Sequence, residues 1–346
     1  MEWPRIWFII GLLFVGSPLW AQTKTWELND KGEWTNTSAT QAAAAPAPVA
    51  NPVLDRVRLL LKSSDFDRAH DVVLAWLKTN AKAPDRDQGL FLMAETYYAL
   101  GQRVECFYEL DELMDTQPES KLFFPALELQ YRVADDYLRG VKNTFLGMPI
   151  IPMDDTGIEM MYRIQERAPG APIAERALRR TADFYYHTSQ FDVAADAYGA
   201  FLRIYPRSPE VPQARLRQAF SNFAQFRGPR YDITPLLDAR AEFVEITVRT
   251  PELAQERDVQ KFIDRIDEQL SAKIASDADY YMRVHNPSAA LYLYRSLIQR
   301  YPNSKDAEAA RKIIEKMPPA VLATPPPPAS AGQLPAPASR PSFDVH

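Results

Sequence analysis

The chain has 346 residues, a single cysteine and a formal net charge of −5 at pH 7. One thiol excludes an internal disulfide framework, and an acidic balance without a basic block argues against a nucleic-acid-binding protein. Lys and Arg are interspersed with Asp and Glu throughout, which is typical of a solvated helical surface.

The N-terminus predicts an export signal over residues 1–21. Arg5 supplies a positive charge, residues 6–16 form an apolar stretch, and Ala21 is a small residue at a cleavage point before Gln22. The apolar stretch is too short to cross a bilayer comfortably, because that takes about 20 residues. We therefore expect an exported protein, and an uncleaved anchor is the alternative.

Residues 22–51 are predicted to be a disordered arm that ends in an Ala/Pro-rich linker. The arm contains Trp26 and Trp34. Aromatic residues in such a segment are typical of a docking peptide, because they bury a large area at low entropic cost. The alternative is an N-terminal segment without a binding role.

Residues 182–215 and 278–311 repeat one pattern, in which Ala, Tyr, Ala, Tyr and a final Tyr-Pro recur at matching positions. An aromatic pair, small residues at helix crossings and a closing Tyr-Pro are typical of tetratricopeptide-type helix hairpins. A repeat architecture of this kind favours binding over catalysis.

The same phasing extends over six hairpins. The second helix of each pair carries a small residue where the helices cross, followed by large residues four and seven positions later on the same face. The small positions are Ala69, Cys106, Gly157, Ala194, Ala239 and Ala290. The large positions are Val73, Leu110, Met161, Tyr198, Phe243 and Tyr294, then Trp76, Leu113, Ile164, Phe201, Ile246 and Leu297. The pattern predicts an all-α, right-handed superhelical solenoid of five to six tetratricopeptide-like helix hairpins over residues 52–316.

Four segments depart from the repeat. Gly and Pro interrupt the pattern at residues 140–156 and 227–235, which we predict to be inserted loops. Residues 252–283 predict one long helix. Residues 317–346 predict a disordered Pro/Ala-rich tail.

The first helices supply a candidate binding surface, since they line the concave face of such stacks. An acid follows one alanine in each of four first helices. The alanines are Ala94, Ala134, Ala182 and Ala278, and the acids are Glu95, Asp135, Asp183 and Asp279. Side chains about one turn away are Phe91, Tyr98, Tyr131, Arg179 and Tyr186. These residues predict a groove with aromatic walls and an acidic floor, suited to an extended peptide with apolar and basic side chains. The alternative is that the acids face solvent and the aromatic residues pack between repeats.

The sequence contains no recognisable motif for catalysis, a cofactor or a metal. The four histidines are not spaced as metal ligands, and a Gly-rich phosphate loop, GxSxG and HExxH are all missing. We therefore expect a protein that is not an enzyme and uses no cofactor, no metal and no small-molecule substrate.

Residues 272–311 contain the run ADYY…AAL.LYRSLI..YP.S..A.AAR, which resembles the C-terminal repeats of the BamD (ComL/YfiO) family of outer-membrane protein assembly lipoproteins. The resemblance extends over roughly residues 52–315. It implies a non-enzymatic scaffold in the periplasm or on the periplasmic face of the outer membrane. It also implies contact with the barrel insertase subunit through the later repeats, and with unfolded outer-membrane protein segments nearer the N-terminus. A periplasmic Tol-Pal-type repeat protein in envelope maintenance is the alternative.

The sequence departs from this family after the predicted signal. Family members carry a lipid-bearing cysteine there, whereas this chain has Gln22. We therefore expect peripheral membrane association at most.

Overall fold

The computed structural model describes residues 26–28, 34–36, 51–145, 148–228 and 231–323. Helices dominate these ranges. They are α1 (Pro52–Lys62), α2 (Phe66–Thr79), α3 (Arg86–Ala99), α4 (Arg103–Thr116), α5 (Phe123–Leu138), α6 (Asp154–Arg167), α7 (Pro172–His187), α8 (Phe191–Ile204), α9 (Val211–Ala224), α10 (Thr234–Arg249), α11 (Pro251–Glu256), α12 (Val259–Arg283), α13 (Pro287–Arg300), α14 (Lys305–Glu315) and α15 (Pro319–Leu322).

The helices pack as a linear series of hairpins. The pairs are α1/α2, α3/α4, α5/α6, α7/α8, α9/α10 and α12/α13, and each pair also contacts the next. Several first helices also contact each other directly along the stack: α1 contacts α3, α5 contacts α7 and α7 contacts α9. The predicted all-α solenoid of tetratricopeptide-like hairpins is confirmed.

The core lies along the predicted seam of the second helices. Every predicted small and large position is buried, and Trp76 is the most accessible of the large ones at 8% exposure. The crossings are tight. A Cβ atom at Gly157 would lie 3.0 Å from Tyr137 Cβ and 3.1 Å from the Ala134 carbonyl oxygen. Cys106 occupies one of these crossings and is fully buried, as the repeat phasing predicts.

The prediction of one long helix over residues 252–283 is wrong at the N-terminal end of that range. The chain forms α11, then breaks at Arg257 and Asp258 before α12 begins. Asp258 has a φ of 53°, in the left-handed region, and Asp is one of the few residues that enter this region at low cost. The face predicted for the remainder is buried in α12: Ile263, Ile266, Leu270 and Ile274.

Among the described residues, two short antiparallel strand pairs accompany the helices. In the first predicted insert, strand β3 (Asn143–Phe145) pairs antiparallel with β4 (Met148–Ile151), with a register irregularity at Asn143. The predicted N-terminal arm contains β1 (Trp26–Leu28) and β2 (Trp34–Asn36), also antiparallel. The predicted signal and most of the predicted tail lie outside the described residues, so their predictions stay open. Within the described ranges, none of the helices combines the length and apolar character needed to cross a membrane.

Candidate protein-binding face

Two acids of the predicted groove join neighbouring repeats. Asp135 on α5 is 8% exposed and accepts a hydrogen bond from Arg180 Nε on α7 at 2.5 Å. Asp183 on α7 pairs with Arg217 on α9. The side chains of these acids therefore tie successive first helices together, and Asp135 is not a solvent-facing position.

The groove tyrosines lie in the same contact network. Each has a guanidinium group from the following first helix over its ring. The pairs are Tyr98 with Arg132 at 5.4 Å, Tyr131 with Arg176 at 4.5 Å and Tyr186 with Arg217 at 6.0 Å, measured to the ring centroid. Such contacts contribute about 0.5–1 kcal/mol each at partly exposed sites. We call this series of Tyr, Arg and Asp side chains on α3, α5, α7 and α9 the inter-repeat ladder.

Two further residues of the predicted surface, Arg179 and Asp279, pair with residues outside the inter-repeat ladder. Arg179 on α7 pairs with Glu210 at 3.3 Å, where the chain enters α9. Asp279 on α12 is exposed and accepts a hydrogen bond from the Tyr294 hydroxyl at 2.5 Å. These two side chains therefore have partners outside the Tyr, Arg and Asp side chains of the ladder.

Phe91 and Glu95 line an open cleft of about 640 Å³ between α1, α3 and the loop from α4 to α5. We call it the N-terminal cleft. Its walls include Arg58, Phe91, Leu92, Glu95, Lys121 and Leu122. Arg58, Lys121 and Leu122 were missed by the sequence reasoning, because they come from a preceding helix and a loop that carry no repeat-phased signal.

Glu95 differs from the other acids of its row. It is half-buried, and burial raises the pKa of its carboxyl group, while Arg132 and Arg58 oppose the shift. Among the described residues, no cation lies within ion-pair distance of this carboxylate. Its oxygens can therefore accept hydrogen bonds from a ligand that enters the cleft.

A second half-buried carboxylate lies between α9 and α10. Burial raises the pKa of Glu242 to about 7, while a hydrogen bond from Asn222 acts in the opposite direction. The Asn222 Nδ2 atom lies 3.0 and 3.1 Å from the two carboxylate oxygens. This side chain faces the packing between helices and is not part of the cleft.

In the part of the chain that the structure describes, no three His, Cys, Asp or Glu side chains are arranged to hold a metal ion. Cys106 is enclosed in the core, where burial raises the pKa of its thiol to about 12. This thiol is therefore a packing residue at neutral pH rather than a reactive thiolate.

The C-terminal hairpins carry the family relationship. Residues 155–319, from α6 through α14, match the family model described as YfiO: Outer membrane lipoprotein. This segment, which is less than half of the chain, is similar to that family, and we call it the YfiO segment. The YfiO segment includes Asp183, Tyr186 and Asp279, whereas the N-terminal cleft precedes it.

Three curated relatives have the name Outer membrane protein assembly factor BamD. The protein from Caulobacter vibrioides is 21% identical over 159 residues, which are 46% of this chain and 52% of the relative. The protein from Rickettsia prowazekii is 20% identical and matches 45% of this chain and 63% of its own length. The protein from Vibrio cholerae is 24% identical, with 46% and 69% covered. The match thus spans about half of the first relative and somewhat more of the others.

Solved structures match over a longer part of the chain but at low similarity. PilW, a type IV pilus biogenesis factor, is 16% identical and covers 76% of this chain and all of its own, with a TM-score of 0.26. The C-terminal part of a tetratricopeptide-repeat protein from Cytophaga hutchinsonii is 15% identical, covers 74% of this chain and 98% of its own, and has a TM-score of 0.23. Superpositions this weak support no argument about function.

Proposed function

We propose that this protein is a non-enzymatic scaffold in the assembly of β-barrel proteins at the periplasmic face of the outer membrane. The observation that carries the proposal is the YfiO match over α6–α14, together with relatives whose name is Outer membrane protein assembly factor BamD. The proposed partners are the barrel insertase subunit and unfolded outer-membrane protein segments. No observation favours a Tol-Pal-type role.

The geometry supports the N-terminal cleft as the site for unfolded segments. Its volume of about 640 Å³ falls within the range of about 300–1,000 Å³ that is typical of binding pockets. Strands of outer-membrane barrels alternate apolar and polar residues. An extended strand could therefore place apolar side chains against Phe91 and Leu122 while a polar neighbour donates to Glu95.

We assign the insertase contact to the C-terminal end of α12. This end exposes Tyr280 by 55%, Met282 by 39% and Val284 by 49%, and it lies inside the YfiO segment. Clusters of exposed apolar side chains are typical of protein-binding surfaces. The two proposed contacts would then lie at opposite ends of the stack, so one protein could hold both partners.

Binding of a labelled ten-residue peptide, copied from a membrane-facing strand of an outer-membrane barrel, tests the cleft. We expect Phe91→Ala to weaken binding about 5–10-fold, since it removes about 1–1.5 kcal/mol of apolar burial. Tyr108→Ala is the matched control, because Tyr108 is a 59% exposed aromatic residue on α4 outside the cleft. Fluorescence anisotropy gives the affinities, and a peptide with scrambled alternation should bind weakly. Equal affinities for the wild-type protein and Phe91→Ala would exclude the cleft as the binding site.

A further inference from the structure

The N-terminal strands β1 and β2 pair antiparallel, with Leu28 opposite Trp34 and Trp26 opposite Asn36. The two strands therefore contain two tryptophans and a leucine among six residues. We call residues 26–36 the Trp hairpin. An isolated pair of strands is at best marginally stable in water, so these strands need an apolar surface to pack on.

The arm that carries the Trp hairpin enters the repeat domain beside the N-terminal cleft. Asn51 caps α1 by accepting from the backbone N–H of Val53 at 3.0 Å. Its Nδ2 atom also donates to Asp85 Oδ2 at 2.6 Å. Asp85 directly follows Pro84, which lines the cleft. The arm therefore starts at the rim of the cleft.

The tether is long enough for the Trp hairpin to reach the cleft. Residues 37–50 connect the two, and a fully extended chain covers about 3.3–3.6 Å per residue. This gives a reach of about 46–50 Å. The tether ends at the rim of the cleft, so this length is sufficient for the Trp hairpin to enter it.

The chemistry of the two surfaces is complementary. Phe91, Leu92 and Leu122 offer apolar walls, against which an indole ring gains burial. An indole N–H is a donor only, and Glu95 presents acceptor oxygens that no cation within ion-pair distance occupies among the described residues. A tryptophan in the cleft can therefore bury its ring against the apolar wall and donate a hydrogen bond from its indole N–H to the Glu95 carboxylate.

We propose that the Trp hairpin docks into the N-terminal cleft of its own chain and competes there with external segments. Docking follows from the two surfaces and the tether alone. The competition rests on the proposed function, because it requires that the cleft binds unfolded segments.

Disulfide trapping tests the docking in the full chain purified after export. In a Cys106→Ala background, Glu33→Cys next to Trp34 is combined with Lys121→Cys at the rim of the cleft. The matched control combines Glu33→Cys with Lys312→Cys, an exposed position on α14. In a glutathione redox buffer we expect the cleft pair to form at least fivefold more intramolecular disulfide than the control. The further changes Trp26→Ala and Trp34→Ala should remove the difference. Equal yields from the two cysteine pairs would overturn the proposal.

Peptide binding then tests the competition. Deletion of residues 22–36 should raise the affinity for the barrel-strand peptide at least threefold, because the internal competitor is gone. If trapping succeeds and the deletion leaves the affinity unchanged, the hairpin docks but does not compete, and that half of the proposal is wrong. If trapping succeeds and neither protein binds the peptide, the proposed function of the cleft fails while docking stands.

Discussion

Tyr198 on α8 donates a hydrogen bond from its hydroxyl group to Asp183 on α7 at 2.6 Å. The ring of Tyr198 is fully buried, and Asp183 also pairs with Arg217 on α9. One carboxylate therefore joins the two helices of a hairpin and the first helix of the next. Tyr294 repeats the contact with Asp279 at 2.5 Å, which places the same hydrogen bond in two hairpins of the YfiO segment.

The two tyrosine contacts should differ in their effect on stability. We expect Tyr198→Phe to lower the free energy of unfolding by about 1–2 kcal/mol, because it removes a hydrogen bond to a charged acceptor that is largely buried. Tyr294→Phe should cost less, since Asp279 is exposed and water can replace the hydroxyl group. Urea denaturation followed by circular dichroism measures both values. A larger loss in Tyr294→Phe would contradict this account of the ladder.

Helices α5 and α6 cross closely at Gly157, so we expect Gly157→Ala to destabilise the protein. A Cβ atom would lie 3.0 Å from Tyr137 Cβ, and overpacking of this kind costs about 1–3 kcal/mol. Gly199 on α8 is the matched control, because its Cβ atom would meet the flexible end of Gln218. Gly199→Ala should be neutral or stabilise the helix by up to about 1 kcal/mol. Thermal melts compare the two variants, and equal melting temperatures would show that the crossing is not tight.

Glu242 should make stability depend on pH. Its pKa is raised from 4.5 to about 7 in the folded protein, so folding favours the protonated carboxyl group. Ionisation of the half-buried carboxyl group therefore lowers the free energy of unfolding as the pH rises from 4.5 to about 7, and the loss is complete above about 7. We expect Glu242→Gln to abolish this loss and to be more stable above pH 7 by on the order of 1–3 kcal/mol.

Chemical denaturation at pH 5 and pH 8 measures this effect. The control is Glu256→Gln at an exposed site on α11, which should follow the wild-type protein at both pH values. A wild-type stability that does not change between pH 5 and pH 8 would contradict the prediction.

The acids of the candidate surface should separate into two classes. Asp135→Asn should lower stability by about 1–3 kcal/mol, because it leaves Arg180 without its carboxylate partner, and should leave peptide binding intact. Glu95→Gln should leave stability unchanged or improve it, since it removes a partly desolvated charge. It should weaken binding of basic peptides. Thermal melts measure the stability of both variants, and fluorescence anisotropy measures their peptide binding. If Asp135→Asn weakened binding and Glu95→Gln lowered stability, Asp135 would be the recognition residue instead.

The C-terminal end of α12 should determine recovery of the insertase. We expect Tyr280→Ala combined with Val284→Asp to reduce co-purification of a barrel insertase from envelopes to less than a fifth of the wild-type amount, because the double change removes exposed apolar area and adds a charge. Tyr108→Ala, which also removes an exposed aromatic side chain, is the control. Unchanged recovery would place the contact elsewhere.

The sequence by itself determined the repeat. Ala194, Tyr198 and Phe201 share one helical face, and that periodicity reports burial directly, since a helix must bury its apolar face. The fold and the seam could therefore be predicted from local pattern. The acid row was visible in the same way, and Glu95 was predicted as a candidate binding residue on this basis.

Tertiary structure alone decided which acids of the row have an arginine partner. Glu95, Asp135 and Asp183 occupy the same position after an alanine, yet Asp135 and Asp183 meet arginines from the following first helix. The spacing between repeats varies, so no fixed offset in the sequence brings Arg180 or Arg217 to its partner. The cleft depends likewise on Leu122 in a loop, and the break before α12 on the left-handed backbone of Asp258. Helical periodicity is a local property, whereas ion pairing and cavities depend on the distance between repeats, which only packing sets.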